Sequence, residues 1–131
     1  MGPSCRPLSI LLCEDDEISL GLLHGVISTI YPDTSVHCAS NGRNGLESFR
    51  EHLPDILITD IQMPYMDGVE MTAAIQSIKP DVKTIVITAY GAKTIKQSTA
   101  KIPIKIDHYF LKPLDYKQLF EAIDDCVAQV T

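Results

Sequence analysis

Four short apolar runs, each stopping abruptly at a polar or charged residue, constrain this chain most. Ile10-Leu11-Leu12-Cys13 stops at Glu14 and Asp15, and Ile56-Leu57-Ile58-Thr59 stops at Asp60. Thr84-Ile85-Val86-Ile87 stops at Thr88, and His108-Tyr109-Phe110-Leu111 stops at Lys112-Pro113. Runs of this length suit strands better than helices, and apolar residues at successive positions suit strands buried on both faces. A fifth run, Val36-His37-Cys38-Ala39, is followed by Asn41-Gly42, which reads as a turn.

Between these runs the spacing becomes helical. Ile18, Leu22, Val26, Ile27 and Ile30 recur on one face, with Asp16 as the expected N-cap and Pro32-Asp33 as the stop. Leu46, Phe49 and Leu53 mark a second helix ended by Pro54. Met71, Ala74, Ile75 and Ile78 mark a third, closed before Pro80, and Asp67-Gly68 ahead of it reads as a turn. A weaker helix is expected over residues 93–100. Asp115, with Gln118 three residues on, caps a last helix whose expected buried stripe is Leu119, Phe120, Ile123 and Val127. Five strands alternating with five helices predict an α/β fold, a doubly wound five-stranded parallel sheet with right-handed crossovers. Folds of this class bind ligands beyond the carboxyl ends of the strands.

The 131 residues suit one domain, read as a flexible segment over residues 1–7 and a folded domain over 8–131. Eleven Lys and Arg against 17 Asp and Glu give a net charge of -6, which disfavours nucleic-acid binding by this domain. No apolar run approaches the roughly 20 residues of a membrane span, and the first seven residues lack a signal-peptide core. Cys5, Cys13, Cys38 and Cys126 form no metal or C-x-x-C spacing. Cys13 and Cys38 read as small buried hydrophobes, and a reducing cytoplasm is the expected location. His24, His37, His52 and His108 show no ligand constellation.

The polar strand ends carry the chemistry. If the sheet closes as expected, Glu14, Asp15, Asp60, Thr88 and Lys112 converge. Like charges about 4 Å apart repel by about 4 kcal/mol near a protein surface, and a divalent cation removes the conflict. An all-oxygen set suits Mg²⁺, and Lys112 and Thr88 suit a phosphate oxygen. Asp60, alone at the third strand's end, is the candidate nucleophile for an acyl phosphate. The nucleotide-cradling pattern G-x-x-x-x-G-K-[ST] is absent.

These residues resemble the response-regulator receiver domain of two-component signalling. The resemblance lies in Ile10 to Glu17, in Asp55-Ile56-Leu57-Ile58-Thr59-Asp60-Ile61-Gln62-Met63-Pro64-Tyr65-Met66-Asp67-Gly68, in Ile85 to Tyr90 and in Tyr109-Phe110-Leu111-Lys112-Pro113-Leu114. It covers about residues 8 to 129. It implies the flavodoxin-like, chemotaxis-regulator-like (βα)5 fold with strand order 2-1-3-4-5. It also implies a phosphorylation-activated switch in which Asp60 accepts a phosphoryl group from a histidine kinase or histidine phosphotransfer protein. Glu14, Asp15, Asp60 and the Gln62 backbone carbonyl would hold Mg²⁺, and Lys112 would pair with the phosphoryl oxygens. Thr88 and Tyr109 would be the switch residues, and the Lys112-Pro113 peptide would be cis. Gln62 and Tyr90 would tune dephosphorylation. The implied partners include an output domain or protein reached through the face of the fourth helix, fifth strand and last helix, and a phosphorylation-dependent homodimer. The domain would catalyse its own phosphorylation and dephosphorylation, with no turnover of an external substrate.

Three other functions compete. A phosphorylation-independent interaction module would usually have lost the acceptor, an acid or the lysine, all kept here. A flavodoxin-like cofactor binder would need a phosphate-cradling loop where Glu14-Asp15-Asp16-Glu17 stands. An aspartyl-phosphate hydrolase would need room for a cap domain. One region departs from the family pattern. Residues 100–106 carry Pro103 and no glycine, so the fourth helix should stop early. There Ile102, Ile104 and Ile106 alternate as in a strand extension.

Overall fold

The structure, a computed structural model, describes residues 8–63, 65–89 and 102–130. The expectations for residues 1–7, for Pro64 and Tyr90, and for a helix over 93–100 lie outside the described residues.

The elements run β1 (Ser9–Cys13), α1 (Glu17–Ile30), β2 (Ser35–Ala39), α2 (Gly42–His52), β3 (Ile56–Thr59), α3 (Gly68–Ile78), β4 (Lys83–Thr88), β5 (His108–Leu111) and α4 (Tyr116–Val130). The strands form one parallel sheet in the order β2-β1-β3-β4-β5, as expected. Period-two geometry splits each apolar run between two cores. Ile10, Leu12, Ile58 and Ile85 pack with Leu23 and Ile27 of α1 and with Leu119 and Ile123 of α4. Leu11, Cys13 and Leu57 pack on the other face with Phe49 of α2 and with Met71 and Ile75 of α3. Continuous apolar sequence is what a sheet covered on both sides requires.

Side-chain caps fix where the helices begin. Asp16 accepts from Ile18 N and from Ser19 Oγ, and Asp115 accepts from Lys117 N. Two segments read as turns are in fact helix starts. Asn41 Oδ1 accepts from Asn44 N at 2.8 Å with Gly42 as the first residue of α2. Asp67 Oδ1 accepts from Glu70 N at 2.9 Å with Gly68 as the first residue of α3. The orphan N–H groups of a helix start favour Asn and Asp there as much as a turn does.

Other expectations shift at the edges. Leu53 leaves the buried stripe of α2, because it is the C-cap, in the left-handed region at φ 47° and exposed. In α4, Ala122 and Cys126 are buried while Phe120 and Val127 are half-buried. Cys38 is exposed rather than buried, since β2 is an edge strand. The strand extension expected for Ile102, Ile104 and Ile106 does not form: residues 102–107 are irregular, with bends at Ile102 and Asp107, and β5 begins at His108.

At the β2 edge the rings of His37 and His52 stack at 3.7 Å with 7° between planes. Burial, with the neighbouring His52, holds His37 below its ordinary value of 6.5, against a weaker upward pull from Glu51. The folded state therefore holds fewer protons at His37 than the unfolded chain. That contribution to stability is complete above 6.5 and is lost as pH falls through it. His37→Gln should flatten the loss of urea midpoint between about pH 7.5 and about pH 5.5. An unchanged slope would remove His37 from the account.

Candidate functional site

The parallel register delivers the polar groups to one rim. Cys13 pairs with Thr59, so the next residues, Glu14 and Asp60, stand side by side, and Asp60 N continues the ladder to Cys13 O at 3.0 Å. Thr88 pairs with Leu111, and Lys112 N continues that ladder to Thr88 O at 2.8 Å. The Lys112–Pro113 peptide is cis, as expected.

Lys112 joins the two halves of the rim. Its Nζ donates to Asp60 Oδ2 at 2.8 Å and to Glu14 Oε2 at 2.9 Å. Glu14 and Asp60 are buried, whereas Lys112 is half-buried. Glu14 Oε1 also accepts from Asp16 N, and Asp60 Oδ1 from Gln62 N at 3.2 Å. Burial raises the Glu14 carboxyl above its ordinary value. Lys112 opposes that rise, and the negative charge of Asp60 reinforces it. Desolvation pulls Lys112 down, but its hydrogen bonds to Asp60 and Glu14 outweigh this and leave it raised, so it stays charged at neutral pH. One ammonium is thus shared by two carboxylates, and the Glu14 carboxyl stays raised despite it.

Carboxylate oxygens of Glu14, Asp15 and Asp60 lie within 4.8 Å of one another. Asp15 is exposed, which leaves this cluster open to solvent on one side. Three hard oxygen donors with room for water fit Mg²⁺ better than a softer metal. Thr88 is fully buried at the tip of β4, and Tyr109 is half-buried on β5 opposite Val86. Gln62 is exposed in the loop after Asp60. Glu14, Asp15, Asp60, Gln62, Thr88 and Lys112 therefore lie at the strand tips or just beyond them, Tyr109 lies within β5, and Tyr90 is outside the described residues. Chemically, the rim can hold a cation against a nucleophilic carboxylate and offer an incoming anion one ammonium.

The loop after β3 holds features that sequence reasoning missed. Gly68 N donates to Ile61 O at 2.7 Å, and a Cβ at Gly68 would collide with the Asp60 carbonyl oxygen. The cap pattern of Asp67-Gly68 before a helical stripe was the available signal. Tyr65 sits at φ 70°, strained for a side-chain-bearing residue, with the Arg43 guanidinium 5.6 Å from its ring centre.

Comparison with known proteins agrees with this geometry. The family profile for the response regulator receiver domain matches residues 10–124. The chain is similar to the transcriptional regulatory protein YesN of Bacillus subtilis, 31% identical over 122 residues, which is 92% of this chain and 33% of that protein. It is similar to the transcriptional regulatory protein GlrR of Escherichia coli, 32% identical over 126 residues, 96% of this chain and 28% of that protein. The chain thus spans a third or less of the length of these relatives. A response regulator receiver domain protein from Clostridium thermocellum has the same fold at a TM-score of 0.81 and 25% identity, covering 93% of this chain and 95% of that one.

Two outcomes follow from the site. The Glu14 charge is disfavoured in the fold, so Glu14→Gln should raise the urea midpoint in metal-free buffer. The same variant should lose the extra stability that millimolar MgCl₂ gives the parent protein. A lowered metal-free midpoint would contradict the shared-lysine account. Gly68→Ala should cost about 1–3 kcal/mol in the same assay, from forced displacement of the Asp60 backbone.

Proposed function

This chain belongs to the response-regulator receiver family, and from that premise we propose that it is a phosphorylation-activated switch of a two-component phosphorelay. Asp60 takes a phosphoryl group from a phosphohistidine on a sensor histidine kinase or a histidine phosphotransfer protein. A carboxylate oxygen of Asp60 forms the new P–O bond, the P–N bond to the donor imidazole breaks, and the electron pair leaves on that nitrogen. The observation that carries this reading is the Lys112 ammonium bonded to both Asp60 and Glu14.

Each group has a physical task. Asp60 is held by the β1–β3 ladder and by Gln62 N, so its nucleophilic oxygen is oriented before a donor arrives. Lys112 can exchange its carboxylate bonds for phosphoryl oxygens without changing charge. Magnesium held by Glu14, Asp15, Asp60 and the Gln62 backbone carbonyl would neutralise charge on the transferring group. Phosphorylation adds up to about -2 charge and new acceptor oxygens, which Thr88 can reach with its hydroxyl. Tyr109, behind Thr88 on the neighbouring strand, then carries the change to the face of β5 and the last helix. Differential contact with Thr88 and Lys112 is what a population shift requires.

The same reading covers the partners. Leu22, Pro113, Leu114 and Tyr116 line a hollow that includes Lys112, an apolar footing for the phosphodonor beside the charge it must approach. Downstream lies an output domain or protein, or a homodimer formed on phosphorylation, with no nucleic acid contacted by this acidic domain. Among the described residues no helix is long and apolar enough to cross a membrane. The cytoplasm is the setting proposed. The only turnover expected is of the domain's own phosphoryl group.

Incubation with Mg²⁺ and acetyl phosphate should add one phosphoryl group, about 80 Da by intact mass. Asp60→Asn should gain none. Thr88→Ala should still be labelled but show a reduced change at Tyr109. Absence of labelling in the parent protein, repeated with phosphoramidate, would move the reading to an unmodified interaction module.

A further inference from the structure

The irregular segment ahead of β5 is held in an unusual way. Ile102, Ile104 and Ile106 are half-buried and alternate with exposed Pro103 and Lys105. With Tyr109 they pack over a small cluster of Ile61, Val69 and Val86. Ile61 directly follows Asp60, Val69 lies in the first turn of α3, and Val86 is the register partner of Tyr109. One apolar patch therefore joins the neighbour of the proposed acceptor, this strap of isoleucines and the proposed switch tyrosine.

A segment outside the sheet needs partners for its backbone groups. Gln76 on α3 supplies both for Lys105. Its Oε1 accepts from Lys105 N at 3.0 Å, and its Nε2 donates to Lys105 O at 2.7 Å. The same Nε2 lies 3.1 Å from Thr84 Oγ1 on β4. Reversing the carboxamide would set oxygen against the Lys105 carbonyl and N–H against N–H, so the contacts select one orientation. A side chain here does what a neighbouring strand does in a sheet. Two residues on, Asp107 locks the segment to β4. Its Oδ2 accepts from Thr84 N at 2.8 Å, and its N donates to Thr84 O at 2.9 Å.

We propose that Gln76 is a positioning residue of the switch. By clamping Lys105 it holds the isoleucine strap over the Ile61 cluster and Tyr109 in its half-buried place, and so biases the domain toward the unphosphorylated arrangement. The inference rests on the reading of Asp60 as phosphoacceptor. A ligand at Asp60 that favours a second arrangement must release the clamp, and its apparent affinity falls by the population it has to recruit. Removing the clamp returns that affinity.

The test is titration of beryllofluoride with Mg²⁺ into the parent protein, Gln76→Leu and Gln76→Ala, followed by NMR with ring-labelled tyrosine. Both variants should bind about three- to tenfold tighter than the parent. Their Tyr109 ring resonance should already stand displaced toward the bound position before ligand is added. Equal or weaker binding with Tyr109 unmoved overturns the clamp, while binding by the parent keeps the reading of Asp60 intact. No binding by the parent overturns the phosphoacceptor reading and the clamp with it. Should the Gln76 variants fail to fold, Thr84→Val removes one of the three contacts and should tighten binding about twofold, with no tightening overturning the clamp.

Discussion

One ammonium group shared between two buried carboxylates organises this domain. Lys112, just past β5, reaches across β4 to Asp60 and across β4 and β3 to Glu14. Without it, carboxylates within 4.8 Å of one another would face each other at the strand tips with no positive side chain bonded to them among the described residues. With it, the rim is held together yet still sets three carboxylates against one ammonium. A site in that condition welcomes a divalent cation and, once a cation is bound, an anion. The same residues that stress the fold are those the proposed transfer uses, which accords with the usual opposition between stability and function.

The sheet makes this arrangement inevitable once its order is set. Four of its strands end in polar residues, and parallel pairing brings all the ends to one edge. Backbone bonds then extend the ladders past the last apolar residues, from Asp60 to Cys13 and from Lys112 to Thr88. The backbone of the site is therefore held by the same ladders as the core beneath it. Change at the site has to leave along the margins instead. On that side lies a separate, smaller apolar cluster, joined to the site through Ile61 and covered by the strap of isoleucines and Tyr109.

Much of this was legible in the sequence because it rests on strong periodic signals. The apolar runs fixed β3 and β5 to the residue, and their polar ends named the site residues that the fold brings together. Weaker signals misled where one residue type serves two geometries. Asn41 and Asp67 were read as turn residues and are helix caps, since the same side-chain oxygen satisfies an N–H in either setting. Leu53 and Cys38 follow an apolar pattern into positions that the chain's ends of elements and sheet edge leave exposed. Gln76 carries no sequence signal. Its role depends on a backbone that arrives beside it from 29 positions away. Pro103 marked the segment before β5 as one that departs from the family pattern, but not what holds it.

The central claim is chemical, that Asp60 becomes an acyl phosphate. The most direct measurement is borohydride reduction of the phosphorylated protein followed by peptide mapping, because reduction converts an aspartyl phosphate to homoserine at the modified position. The account predicts homoserine at position 60, formed only when Mg²⁺ and phosphodonor are both present. Homoserine at position 15 or elsewhere, or none in a protein that had gained a phosphoryl group, would contradict it.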